Sequence, residues 1–182
     1  HVSGSMNAVL DVINPGTKEV LATVSEMGWN EVSLAVEDAY RAYNSSWKNT
    51  SVDERASLIM KLVELYERDL DVFLACEILN GGKVSELANG DIGTVRPCAE
   101  YFIEIAQQFC FGNGEKIAVM DGIEGYPHVK PWGVVAGIIP WNYPVVLTAW
   151  FIIPALMAGN CILIKPSEET PLSALYFAKL AQ

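Results

Sequence analysis

Positive charge is what this sequence has least of. Twelve Lys and Arg stand against 22 Asp and Glu, for a formal net charge of −10. A nucleic-acid partner needs a basic stripe along its phosphates, so that partner class is excluded. Histidine occurs only as His1 and His128, and the four cysteines, Cys76, Cys98, Cys110 and Cys161, stand far apart with no C-x-x-C. Zinc is therefore unsupported. Isolated thiols in apolar surroundings read as core residues, and the reducing cytoplasm is the expected compartment. A basic-then-apolar leader is also missing from the opening residues. His1–Met6 reads either as a cloning scar ahead of Met6 or as native sequence forming half of an edge hairpin. The 182 residues, half of them apolar, can bury the core of one domain, or of one and a fraction.

Charge of either sign vanishes from Pro131 to Ile164. A bilayer-crossing helix needs about 20 apolar residues, and this run is longer. Yet Pro140, Asn142, Pro144, Pro154, Gly159 and Asn160 break it, and each proline costs about 3 kcal/mol inside a helix. The pieces have the sizes of soluble elements. "GVVAGIIP" suits a strand buried on both faces. "PVVLTAWFIIPALMAG" suits a helix with Pro144 in its first turn and Gly159 at its stop. "NCILIK" reads as a second strand, and "TPLSALYFAKLAQ" as a second helix with Thr170 as N-cap and Pro171 at N1. The order strand, helix, strand, helix predicts a βαβα unit with a parallel sheet, and no membrane segment.

Ahead of it, "VLDVINPGTKEVLATV" predicts a hairpin turning at Asn14-Pro15-Gly16. A helix opening at Asn30 or Glu31 is expected to bury Val32, Ala35, Val36, Ala39 and Tyr40. Ser51 and Glu54 form a capping box for a helical run with a stripe at Leu58, Leu62, Leu65 and Tyr66, stopping at Asn80-Gly81-Gly82. Ser85 to Phe111 reads as further helix, with Tyr101, Phe102, Ile105 and Phe109 expected in the core. "KIAVMD" and "YPHVKPW" read as two short strands turning at Asp121-Gly122. Such an arm is marginal alone and is expected to pair outside the chain. The fold class is thus α/β, divided into residues 1–115 (hairpin and helices), 116–130 (arm) and 131–182 (βαβα).

Ligands of open parallel sheets bind beyond the carboxyl ends of the strands. Two polar clusters fall there, "PWNYP" after the first strand and "KPSEE" after the second. The first turn has no G-x-G-x-x-G. Its two prolines stiffen it instead, so that the Asn142 amide is held as an oxyanion donor must be; alone, an Asn bonding to its own turn is the plainer reading. Lys165 and Glu168 could share ribose hydroxyls, or form an exposed ion pair capping the next helix.

"GIIPWNYP" followed by "PALMAGNCILIKPSEETPLSAL" resembles the NAD(P)-dependent aldehyde dehydrogenase superfamily. "INPGTKEVLATV", "SVDERASLIMKLVELYERD" and "EILNGGKVSEL" extend the likeness over nearly the whole chain, and "PWGVVAGIIPWNYP" is similar to its betaine-aldehyde branch. The resemblance implies a Rossmann-type cofactor domain, a catalytic domain and an oligomerisation arm. It implies that a cysteine thiolate attacks the aldehyde, hydride passes to the nicotinamide, and a glutamate-activated water releases the acid. Asn142 then corresponds to the oxyanion amide, and Ile138, Ile139, Pro140 and Trp141 to the wall against the cofactor. Lys165, Pro166, Ser167 and Glu168 correspond to the adenosine-ribose contacts, with NAD expected and NADP possible. Val12, Ile13 and Asp91 fall where some members hold a monovalent cation. The arm from Lys116 to Lys130 implies a homodimer or homotetramer in the complete protein, acting on a small-molecule aldehyde.

Two departures stand out. Trp150-Phe151 replaces the Trp-Lys of many members, which puts that lysine's proton relay in doubt. The family's cysteine nucleophile and glutamate base would follow Gln182, and none of the four cysteines here has the nucleophile's context. The chain therefore reads as an amino-terminal portion, apparently truncated and inactive alone. The alternative is a catalytically inactive binding or interaction module with a partial nucleotide site.

Overall fold

A computed structural model describes residues 9–109 and 112–182. The proposed edge strand at positions 1–5, Met6 and Cys110 lie outside the described residues. The chain opens with the expected hairpin, β1 (Val9–Ile13) antiparallel to β2 (Val20–Ser25). Asn14 Oδ1 accepts from the backbone N–H of Gly16 at 2.9 Å, so the asparagine side chain supports its own turn.

Helix α1 (Trp29–Ser45) starts a residue earlier than expected, because Gly28 is its N-cap and Glu31 Oε2 accepts from Gly28 N at 3.0 Å. It buries no residue, and Val32, Val36 and Tyr40 are exposed. Of the expected stripe only Ala35 and Ala39 are half-buried. After a 3₁₀ turn, α2 (Val52–Arg68) carries the predicted capping box, with Ser51 and Glu54 bonded reciprocally. Its inner face is Arg55, Ala56, Ile59, Val63 and Tyr66, rotated from the predicted one, and Leu58 is exposed. The helical run also breaks at Asp69 before α3 (Leu70–Ala75) and a π-turn at Cys76–Asn80.

Helices α4 (Ser85–Ile92) and α5 (Val95–Gln108) replace the single expected helix. Helix α5 buries Val95, Cys98, Ala99 and Ala106, whereas Tyr101, Ile105 and Phe109 are exposed. Small side chains are chosen inside because α5 packs closely on α2 and α6. Of the predicted aromatic set only Phe102 packs against the core.

Four short strands follow: β3 (Gly112–Asn113), β4 (Ile117–Met120), β5 (Ile123–Gly125) and β6 (His128–Val129). The arm pairs differently from expectation. β4 pairs antiparallel with β5 across Asp121-Gly122, and the "YPHV" segment returns to β3.

The charge-free tract folds as strand, helix, strand, helix: β7 (Val134–Ile138), α6 (Pro144–Met157), β8 (Cys161–Lys165) and α7 (Leu172–Leu180). β7 and β8 are parallel, from Val134 opposite Cys161 to Ile138 opposite Lys165. Pro144 takes the first turn of α6, and Gly159, at φ +84°, ends it. Pro154 rides within the helix. Among the described residues no helix is long and apolar enough to cross a membrane. Gly137 and Ile139 are buried while Ala136 and Ile138 are exposed, so β7 alternates instead of being buried on both faces. A Cβ on Gly137 would come within 2.8 Å of Phe151 and 2.9 Å of Ile164. Helix α7 begins at Leu172 with Pro171 as its cap residue, one position later than predicted. The core joins α2, α3, α5, α6 and α7 around Tyr66, Phe73, Ile153, Met157 and Phe177, and so draws on both sides of position 130.

Candidate functional site

The carboxyl ends of β7 and β8 stand side by side, since Ile138 and Lys165 are partners and Ile139 N donates to Lys165 O at 3.1 Å. The two predicted clusters leave the sheet there. Thr170 Oγ1 donates to Trp141 O at 3.1 Å, tying the second turn to the first.

In the first turn Ile139 is buried and anchors the chain, while Ile138, Pro140, Trp141 and Asn142 are exposed; Ile138 is 75% exposed and Trp141 61%. Among the described residues, no group hydrogen-bonds to the Asn142 side chain, so its amide does not serve its own turn. In the second turn Ser167 is buried, Pro166 half-buried, and Lys165 and Glu168 exposed. Lys165 Nζ donates to Glu168 Oε2 at 2.8 Å, and that ammonium holds the Glu168 carboxyl below the ordinary glutamate value. The pair does not cap α7, where Leu172 N instead donates to Asn80 Oδ1. A carboxylate and an ammonium at one strand end match the acceptors and donors of a vicinal diol.

Beneath both turns lies a polar cluster that the sequence reading passed over. Glu77 is fully buried. Its Oε1 accepts from Val145 N at 3.1 Å and Ser173 Oγ at 2.7 Å, and its Oε2 from Lys83 Nζ at 2.7 Å. Lys83 also bonds to Asp91 and lies 4.9 Å from the centre of the Tyr143 ring. Burial alone would lower the Lys83 ammonium, but Asp91 and Glu77 together carry it above the ordinary lysine value. Asn80 Nδ2 donates to Glu169 O at 2.8 Å. One signal in the sequence was available: Glu77 is a lone acid within the apolar run "FLACEIL".

Of the proposed cation ligands, Val12 is buried within β1, Ile13 ends that strand, and Asp91 gives its carboxylate to Lys83. No group of three or more His, Cys, Asp or Glu poised for a metal occurs among the described residues. The described thiols are not activated. Burial pushes Cys76 and Cys98 up to about 11, with the Glu77 charge adding to Cys76, and burial raises Cys161 as well.

The sequence pattern of the Aldehyde dehydrogenase family matches residues 1–182. An aldehyde dehydrogenase of Emericella nidulans is 37% identical over 179 residues, covering 98% of this chain and 35% of that protein. Mouse aldehyde dehydrogenase 1A1 is 39% identical over 176 residues, covering 93% and 34%. Among solved structures, the betaine aldehyde dehydrogenase of Staphylococcus aureus in complex with NAD+ superposes with a TM-score of 0.89 at 30% identity, covering 99% of this chain and 36% of that one. The chain thus spans about a third of the length of the relatives it matches. With the matched pattern running from its first residue to its last, the chain belongs to the aldehyde dehydrogenase family.

Proposed function

We propose that this chain supplies the oxyanion amide and the adenosine-ribose site of an enzyme that, in its complete form, oxidises an aldehyde to a carboxylic acid with NAD(P)+. One observation carries the reading: the turns bearing Asn142 and Glu168 leave adjacent parallel strands and are bonded to each other through Thr170 and Trp141. When bound, the nicotinamide accepts hydride from the substrate. The chain's own residues bind and orient. The Asn142 amide donates to the oxygen that becomes negative as a nucleophile adds to the aldehyde. Ile138, Pro140 and Trp141 form an apolar wall for the cofactor, and the buried Ile139 anchors that wall. Lys165 and Glu168 meet the ribose, with Pro166 stiffening their turn and the buried Ser167, whose Oγ accepts from Glu169 N at 3.3 Å, holding it in place. Glu168 accepts from its hydroxyls and repels a 2′-phosphate, which favours NAD over NADP.

The division at 115 and 130, a cytoplasmic location and self-association through the 116–130 arm complete the reading. The exposed strands of that arm support the last of these. A monovalent cation at Val12, Ile13 and Asp91 has least behind it, since Lys83 already neutralises Asp91. The betaine-aldehyde branch has no advantage in identity over the other relatives.

The raised thiols among the described residues fit equally the alternative, a catalytically inactive binding or interaction module with a partial nucleotide site. Acid formed from an aldehyde and NAD by the 182 residues alone would exclude that module. For the main reading, Asn142→Ala in the complete protein is expected to lower kcat by about 10²–10³, as loss of one oxyanion donor does. An unchanged rate of the chemical step removes the assignment.

A further inference from the structure

The π-turn Cys76–Asn80 presents two polar side chains three residues apart: Glu77 holds the first turns of α6 and α7, and Asn80 holds the loop before α7. Glu77 Oε1 accepts from Val145 N, three residues beyond Asn142. Asn80 Nδ2 donates to Glu169 O, the residue after Glu168, and its Oδ1 accepts from Leu172 N at 3.4 Å. We infer that Glu77 and Asn80 are positioning residues, through which one helical turn fixes the spacing between the oxyanion amide and the ribose-facing carboxylate. The inference rests on the roles of Asn142 and Glu168 proposed above.

The local backbone is built for this clamp. A π-turn is rare and concentrates at functional sites. It closes where Gly81 N donates to Cys76 O at 3.1 Å, and a Cβ on Gly81 would fall 2.6 Å from Glu77 O. Gly82, at φ +69°, then reverses the chain. The reversal brings Lys83 back so that its N–H reaches Glu77 O at 3.2 Å and its ammonium reaches Glu77 Oε2. The "NGGK" segment thus folds around one carboxylate. A fully buried carboxylate persists only with partners for both oxygens, and an apolar side chain would serve packing alone at less desolvation. Glu77 Oε1 spends both its contacts on α6 and α7, the helices that follow the two turns. Val145 is in the first turn of α6, where backbone N–H groups lack helical partners and favour an anion. Asn80 bridges the other loop from both ends, holding the Glu169 carbonyl and the Leu172 amide. Neither side chain enters the cleft itself.

The two arms of the clamp separate kinetically. In the complete protein, Asn80→Ala is expected to raise the Kd for NAD about tenfold with kcat within about twofold, because only the ribose loop is released. Glu77→Ala is expected to lower kcat about tenfold while the NAD Kd stays within about twofold, because Asn80 still holds the ribose loop although Ser173 loses its acceptor. Glu77→Gln, which keeps an oxygen for Val145 N but turns an amide N–H towards Lys83, is expected to restore kcat in part. A merely structural role would lower kcat and raise the NAD Kd together in both variants; that pattern, or wild-type values in both, overturns the inference. If Glu77→Ala does not fold, Asn80→Asp decides, because it keeps the acceptor for Leu172 N and loses the donor to Glu169 O. Weakened NAD binding supports the clamp and unchanged binding overturns it. Asn142→Ala and Glu168→Gln are run alongside. If they alter the constants while the Glu77 and Asn80 variants do not, only the clamp falls. If they too behave as wild type, the site reading falls and takes the clamp with it.

Discussion

In the helical core Phe73 is fully enclosed, with its ring centre 4.4 Å from that of Tyr66 and 5.2 Å from those of Tyr176 and Phe177. In the arm, every residue from Ile117 to Val129 except Gly125 is exposed. Both regions are rich in apolar residues, yet only one has a second layer to bury them against. The contrast teaches that apolar pattern measures a demand for burial, and that neighbouring elements decide whether it is met. The candidate site lies between these extremes. Its working groups are exposed like the arm, while Ile139, Ser167, Glu77 and Asn80 root its turns in the core.

Breaking the core is the strongest way to test that contrast. Phe73→Ala should destabilise the protein by about 3–5 kcal/mol, read from the shift of the denaturant midpoint. A shift below 1 kcal/mol would mean the aromatic cluster is not the centre of the fold. The arm should behave in the opposite way. Met120→Glu is expected to move the unfolding free energy of the protomer by no more than about 0.5 kcal/mol, yet to weaken self-association in sedimentation of the complete protein. A large protomer effect with unchanged assembly would show that the arm folds onto its own chain.

What the sequence made legible follows the same division. The hairpin at Asn14, the Ser51–Glu54 box, Pro144 at the start of α6 and Gly159 at its end are local signals, written by residues that act within a turn of themselves. The βαβα order was legible because strand length, proline placement and absent charge agreed. Helical faces were less legible. The stripes of α1, α2 and α5 each satisfied a 3.6-residue period, but the face that is buried depends on partners remote in sequence. Tyr101 and Phe109 are exposed where Ala99 and Ala106 permit close helix contact. The arm register failed for a related reason, since strands of two to four residues carry too few side chains to specify a partner. At the site, the turns could be placed from the strand ends, but their support could not. Glu77 lies 68 residues upstream of Val145 and Asn80 lies 89 upstream of Glu169, and only folding brings them beneath the turns.

The central claim is that Glu168 faces the ribose of a dinucleotide bound across the two turns. It is tested most directly by the ratio of kcat/KM with NAD to that with NADP, measured for Glu168→Gln and the unsubstituted complete protein. A hydrogen bond to a charged acceptor contributes about 1.5–3 kcal/mol, so the ratio should fall about tenfold or more towards NADP. A ratio that does not move would contradict the account.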